Sequence, residues 1–203
     1  MPEIASGYER TAQEFLAARG RAVDGIGVRE VRAWARSLPG GATVLDLGCG
    51  SGLPLTRVLI DEGLNAYGID ASPTLVAAFQ RNFPGVAVAC ESVEASSFFG
   101  RQFDAVLAWG LWFLLPEATQ LDLLRRVEDV LQPGGRLLFT APPQACTWRD
   151  VMTGEESTSL GAEVYRTRLA DLGFRVVREF DDEGENHYYD AIRTSNLPSE
   201  LCA

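Results

Sequence analysis

Glycines at every second position, Gly48, Gly50 and Gly52, close the run Val44-Leu45-Asp46-Leu47-Gly48-Cys49-Gly50-Ser51-Gly52, with an acid, Asp46, just ahead of them. Such a turn bends sharply and lets backbone come within contact distance of a ligand, which a Cβ would prevent. The apolar residues before it read as a buried strand. Pro54 after it suits the first turn of a helix, where a missing N–H costs nothing. Strand, glycine turn and helix together place a nucleotide-like ligand at the carboxyl end of the first strand. The dinucleotide fingerprint G-x-G-x-x-G requires glycine at position 53, where Leu53 stands, so the spacing is G-x-G-x-G and counts against NAD. A second acid, Asp70, ends the next apolar run in Gly68-Ile69-Asp70-Ala71-Ser72. A carboxylate offers two acceptor oxygens to the two hydroxyls of a ribose, that of NAD included.

Other residues carry a chemical and a structural reading side by side. His187, the only histidine, opens the last apolar run in Asn186-His187-Tyr188-Tyr189. It is the candidate base that takes a proton from a hydroxyl or thiol, or else a hydrogen-bonded strand residue. Tyr188 and Tyr189 point to opposite faces by strand alternation and read as core. Trp109, Trp112 and Phe113 form either an apolar wall whose π faces tolerate a cation or part of the core. Arg149, in Trp148-Arg149-Asp150, carries the planar fork that grips a carboxylate, or makes a surface ion pair. Residues 179–185 read as a solvated acidic turn.

These residues need a scaffold. The chain has 203 residues, 46% hydrophobic and 23% charged, enough for one domain around one sheet. Apolar runs at 43–47, 66–70, 86–90, 103–108 and 136–140 alternate with helical patterns at 55–62, 73–82 and 117–131, the signature of a parallel sheet covered by helices. Amphipathic helices at 8–18 and 28–37 precede the first strand and read as packing on the sheet or capping the site. Residues 141–159 show little periodicity and read as a long functional loop. A helix at 160–172 then leads into strands at 174–180 and 186–194, joined by a Gly-containing turn as an antiparallel hairpin.

Composition removes several classes of function. A formal net charge of −10 repels a polyphosphate backbone. Every basic side chain is arginine; the absence of lysine excludes Schiff-base and pyridoxal-phosphate chemistry and a P-loop. Cys49, Cys90, Cys146 and Cys202 form no C-x-x-C pair, so neither a metal site nor a disulfide framework is expected. Met1-Pro2-Glu3-Ile4 lacks the basic and apolar stretches of a secretory signal, and no apolar run nears the roughly 20 residues that span a bilayer; a cytoplasmic protein is expected.

The segment 44–52 resembles the first motif of class I S-adenosylmethionine-dependent methyltransferases, the D-x-G-x-G turn that wraps the methionine end of the cofactor. Residues 68–72 are similar to the family's second-strand end, whose acid binds the ribose. Cys90-Glu91-Ser92-Val93-Glu94 falls where the family holds adenine, with Glu91 or Ser92 in the polar place, Ser92 preferred, and Val93 against the ring. Leu131-Gln132-Pro133-Gly134-Gly135 matches its L-x-P-G-G turn before the fifth strand. The resemblance implies an α/β fold with a seven-stranded Rossmann-like sheet of order 3-2-1-4-5-7-6, the seventh strand antiparallel, and helices on both faces. It divides one domain, 1–203, into capping helices (1–40), a cofactor-binding core (41–142) and a substrate-side loop, helix and hairpin (143–203).

It further implies S-adenosyl-L-methionine as cofactor, held by Asp46, Gly48, Cys49, Gly50, Gly52, Asp70, Ala71, Ser92, Val93 and Trp109. Tyr8, Trp112, Phe113 and Arg149 would then line the acceptor pocket, with His187 as the candidate base. The [N/D]-P-P-[Y/F] motif of enzymes that methylate nucleic-acid bases is missing; Ala108-Trp109-Gly110-Leu111-Trp112 stands in its place, and Pro142-Pro143 follows the fifth strand instead. A small-molecule acceptor, no nucleic acid and no membrane are expected. The rival readings are an NAD-dependent oxidoreductase and a non-catalytic cofactor-binding module of the same fold. Aminopropyl transfer would need acids gripping a polyamine after the fourth strand, and none occurs before Glu117.

Overall fold

Val44, Leu45 and Leu47 are all fully buried although successive strand residues face opposite ways, because helices cover both sides of the strand they form. The structure is a computed structural model that describes residues 7–18 and 24–194. Cys202 and the first residues of the chain, named above, lie outside them.

Two helices, α1 (Gly7–Ala18) and α2 (Val28–Ala35), lead into β1 (Thr43–Leu47), α3 (Leu55–Asp61), β2 (Asn65–Asp70), α4 (Pro73–Asn82), β3 (Ala87–Cys90) and β4 (Phe103–Ala108). Then follow α5 (Glu117–Val130), β5 (Leu131–Thr140), β6 (Ala145–Arg149), β7 (Glu156–Leu160), α6 (Ala162–Asp171), β8 (Phe174–Asp181) and β9 (His187–Arg193). The seven-stranded sheet runs β3-β2-β1-β4-β5-β9-β8, with β9 antiparallel to both neighbours. Since β6 and β7 pair only with each other, this is the order 3-2-1-4-5-7-6 with a reversed seventh strand, as the resemblance implies. One face carries α5 and α6 through Leu123, Leu124, Val127, Tyr165 and Leu169; the other carries α2 and α3 through Val31, Trp34, Val58 and Leu59. Among the described residues no helix is long and apolar enough to cross a membrane.

Two elements differ from expectation. Residues 141–159 are not a plain loop: β6 and β7 form an antiparallel hairpin, Trp148 opposite Ser157 and Thr147 opposite Thr158. The alternation was invisible because two of the buried positions of β7 are serines, Ser157 and Ser159, and β6 is largely exposed. The L-x-P-G-G segment lies inside β5 as an irregularity: Leu131 pairs with Phe103, Arg136 with Ala105, and the residues between bulge out.

Candidate active site

β1, β2 and β4 end side by side, and the segments leaving them enclose a cavity of about 920 Å³, near the top of the roughly 300–1,000 Å³ typical of small-molecule sites. It lies at the carboxyl edge of a parallel sheet on the strands where chain order reverses, where ligands of open α/β folds bind. Its floor is the glycine turn after β1. Gly48, Gly50 and Gly52 have φ of 70°, 55° and 77°, the left-handed region that side chains avoid. Gly48 and Gly50 line the cavity, whereas Gly52 does not. A Cβ on Gly52 would sit 2.3 Å from the Phe83 ring, so this glycine lets the turn pack on α4 rather than meet a ligand.

The turn spends four of its N–H groups internally. Those of Gly48 and Cys49 donate to the Ile69 carbonyl (2.8 and 3.0 Å), that of Gly52 to the Cys49 carbonyl (2.9 Å), and that of Gly50 to Oδ2 of Asp70 (2.9 Å). The other Asp70 oxygen accepts the Ser72 N–H at 2.8 Å. Asp70 therefore pins β2 to the turn and faces the cavity, with its pKa raised by burial and, less, by the charge of Glu9. Asp46 lines the floor, accepts the Thr56 hydroxyl at 2.5 Å and is pushed up to about 7 by burial, with Asp70 adding repulsion. Burial also pushes the Cys49 thiol up.

Beyond β3, Glu91, Ser92, Val93 and Glu94 line one end of the cavity. Arg126 of α5 holds this loop through the Val93 and Ser96 carbonyls, and Glu91 accepts the Ser96 hydroxyl at 2.7 Å. After β4, Trp109 forms a wall and donates its Nε1–H to the Tyr188 hydroxyl at 2.7 Å. Over the top lies α1, with Tyr8 and Phe15 at the cavity. Glu9 anchors it by accepting from the Ser72 hydroxyl and, at 2.8 Å, from the Thr74 hydroxyl, at the first turn of α4; those hydrogen bonds hold the Glu9 carboxyl below its usual value. The β6–β7 turn closes the far side with Asp150, Val151, Met152, Thr153, Glu155 and Glu156, and Arg10 of α1 pairs with Glu155 across the mouth.

Among the expected residues, the cavity brings together Asp46, Gly48, Cys49, Gly50, Asp70, Ala71, Ser92, Val93, Trp109, Tyr8 and Phe113. Besides Gly52, three others lie elsewhere. Trp112 is fully buried against Phe139, their rings 4.6 Å apart, and belongs to the core. Arg149 donates to the Gly154 carbonyl at 3.2 Å inside its own hairpin turn and is absent from the lining. His187 is on the opposite face of β9 from Tyr188, its ring nitrogens 2.6 Å from Asp181 and 3.2 Å from Glu179, and it too is absent from the lining.

The acidic turn is also more than a solvated loop. Asp182 is 7% exposed and accepts from the N–H groups of Gly184 and Asn186, the Asn186 amide and the Tyr188 hydroxyl. Sequence reasoning missed Asn186, Phe15 and Glu9 at the site; Asp182-x-Gly184-x-Asn186 has the composition of an Asx turn, a signal that points to Asn186. Among the described residues no group of three His, Cys, Asp or Glu side chains is arranged to hold a metal ion.

Comparison with known proteins agrees with this architecture. Residues 44–135 match the family described as "Methyltransferase domain". The chain is 30% identical over 148 residues to aklanonic acid methyltransferase DauC of Streptomyces sp. (strain C5), a match covering 69% of this chain and 62% of that protein. It is 32% identical over 137 residues to the tRNA U34 carboxymethyltransferase of Pseudoalteromonas translucida, covering 63% of this chain and 39% of that one. Magnesium protoporphyrin IX methyltransferase (ChlM) of Synechocystis PCC 6803, solved with bound SAM, superposes with a TM-score of 0.69 at 20% identity, covering 92% of this chain and 97% of the other. The chain thus spans about three fifths or less of the curated relatives named here. Over 44–135 it is similar to methyltransferase domains, and its fold is that of the Rossmann-like methyltransferases.

Proposed function

We propose that this chain transfers a methyl group from S-adenosylmethionine to a small-molecule acceptor. The observation that carries the reading is the floor of the cavity. A dinucleotide site offers glycine-turn N–H groups to a pyrophosphate. Here the N–H groups of Gly48, Cys49, Gly50 and Gly52 are taken by Ile69, Asp70 and Cys49, and Asp46 and Asp70 face the same space. Such a floor repels a phosphate and attracts a cation. A sulfonium nucleoside fits it: the Gly48–Gly50 cradle for the methionine end, Asp70 for ribose hydroxyls, Ser92 and Val93 for adenine, Trp109 and Tyr8 as walls.

When bound, this cofactor supplies an electrophilic methyl group on a positively charged sulfur. The chain's own work is to orient and to exclude water. Asp46 and Asp70 hold positive charge at the floor, and Trp109, fixed by Tyr188, presents an aromatic surface that tolerates a cation. Tyr8, Phe15, Phe113 and Leu111 shield the reaction space. The acceptor is a small molecule rather than a nucleic acid, since a chain of net charge −10 with acids around its cavity disfavours a polyanion. The setting is the cytoplasm, where Cys49, Cys90 and Cys146 would remain the free thiols they are in the structure.

The test is isothermal titration with S-adenosylmethionine, S-adenosylhomocysteine and NADH, alongside Asp70→Ala. Micromolar binding of the two sulfur compounds, about −7 to −8 kcal/mol, weakened by about 1.5–3 kcal/mol in the variant and absent for NADH, is the expected result. Binding of NADH alone, or of none of the three, overturns the proposal.

A further inference from the structure

The acceptor-side wall selects a charge and a hydrogen-bonding type. We infer that Asn186 presents a fixed hydrogen-bond acceptor to the methyl acceptor, and that the substrate is a neutral or cationic molecule bearing an O–H or N–H donor there, not a carboxylate or phosphate. This rests on the methyltransferase reading above.

The orientation of Asn186 follows from its partner. Its Nδ2 lies 3.0 Å from both oxygens of Asp182, which also takes the Asn186 N–H (2.9 Å), the Gly184 N–H (2.9 Å) and the Tyr188 hydroxyl (2.8 Å). A carboxylate accepts only, so the amide must turn its NH₂ toward Asp182. The carbonyl oxygen, Oδ1, then faces away, has no hydrogen bond among the described residues, and belongs to a residue that lines the cavity beside Gly25 and Ile26. The Tyr188 hydroxyl that donates to Asp182 also receives the Trp109 indole N–H, so one carboxylate sets both the aromatic wall and the amide.

Charge agrees with this polarity. On the hairpin side the cavity meets Asp150, Glu155 and Glu156, and its described lining contains no Arg, Lys or His. Among the described residues, Arg10 of α1 is engaged by Glu155 and Arg149 of the hairpin by the Gly154 carbonyl. Among the described residues an anionic acceptor would meet like charge and no cation in the lining, whereas a hydroxyl or amine would find the Asn186 carbonyl waiting. Asp182 acts here as a positioning residue and Asn186 as a specificity-determining one.

The probes are benzyl alcohol, benzylamine, anisole and benzoate, whose uptake by the S-adenosylhomocysteine-loaded protein is followed by saturation-transfer NMR. Benzyl alcohol and benzylamine should bind about five- to tenfold more tightly than anisole, the worth of one hydrogen bond, and benzoate should bind most weakly. Asn186→Ala should erase the difference between benzyl alcohol and anisole. Asp182→Asn, which lets the amide face either way, should reduce it while retaining affinity for S-adenosylhomocysteine, which also reports that each variant is folded. Benzoate binding as well as benzylamine, discrimination unchanged in folded Asn186→Ala, or no probe binding to protein that holds S-adenosylhomocysteine would overturn the inference. Failure to bind S-adenosylhomocysteine in the unaltered protein would instead sink the methyltransferase reading beneath it.

Discussion

The two sides of the cavity are built by different means. The floor is backbone: the ends of β1 and β2 and the glycine turn, locked by hydrogen bonds from Gly48, Cys49 and Gly50 to Ile69 and Asp70. The acceptor-side wall is held by side chains that reach across long stretches of sequence. Gln120 of α5 donates to the Leu115 and Thr158 carbonyls and accepts the Tyr165 hydroxyl, fastening β7 to two helices, while Asp182 organises the turn before β9. A backbone floor keeps a geometry that one ligand class can use repeatedly. A wall of side-chain bonds can be rebuilt residue by residue, which suits the acceptor side of the proposed reaction.

The strongest way to break the contrast is to disturb the floor. In Gly52→Val the first added carbon would lie 2.3 Å from Phe83 at a φ of 77°, so overpacking and left-handed strain combine. A loss of about 2–4 kcal/mol in global stability is expected by denaturant titration. A variant of unchanged stability would mean the turn is as adaptable as the wall. Next comes Gln120→Leu, which leaves the Thr158 carbonyl and the Tyr165 hydroxyl without this partner in a fully buried place. It should cost about 1–3 kcal/mol and raise hydrogen exchange in β6 and β7 while β1 and β4 stay protected. Equal loss of protection in both regions would show that the wall is not a separate unit.

The same contrast decides what could be read from the chain alone. Strands buried on both faces, such as β1 and β4, are continuous apolar runs, and Gly48, Gly50 and Gly52 announce a turn because no other residue accepts that backbone cheaply. Asp70 was legible because it ends a strand beside that turn. The hairpin was not, since Ser157 and Ser159 occupy buried positions where alternation would call for apolar residues. Trp112 and Phe113 are neighbours in sequence, yet one turns into the core and the other into the cavity, a choice made by Phe139 and Trp148 from distant segments. The places of Arg149 and Asp182 were hidden for the same reason: the groups that fix them, the Gly154 carbonyl and the Tyr188 hydroxyl, are known only once the chain has folded.

A smaller effect sharpens the electrostatics of the floor. Asp46, at about 7, binds its proton more tightly in the native protein than in the unfolded chain, near 3.8. Unliganded stability should therefore fall as pH rises from about 4 to 7 and level off above, the opposite of a salt-bridged acid. A cationic ligand favours the ionised form, so affinity for S-adenosylmethionine should drop about fivefold between pH 7 and pH 6 through proton linkage. Asp46→Asn should flatten that profile. A flat profile in the unaltered protein would remove Asp46 from the charge balance of the site, leaving Asp70, also raised by burial, to carry it.

The least effect is expected at His187, which tests where the wall ends. Its ring is 12% exposed, lies between Asp181 and Glu179, and packs edge-on against Tyr189, on the face of β9 that carries α6 rather than the cavity. Its nearer partner, Asp181, is itself exposed, so His187→Ala should lose about 1 kcal/mol in stability, the net worth of an ordinary hydrogen bond. Release of S-adenosylhomocysteine with the best donor-bearing probe should be unchanged, because Asn186 and Trp109 are fixed by Asp182 and Tyr188 without it. Were turnover to collapse while cofactor affinity held, β9 would contribute a base from its other face. The acceptor would then have to reach past Tyr189, and the division between a backbone floor and a side-chain wall would no longer describe the site.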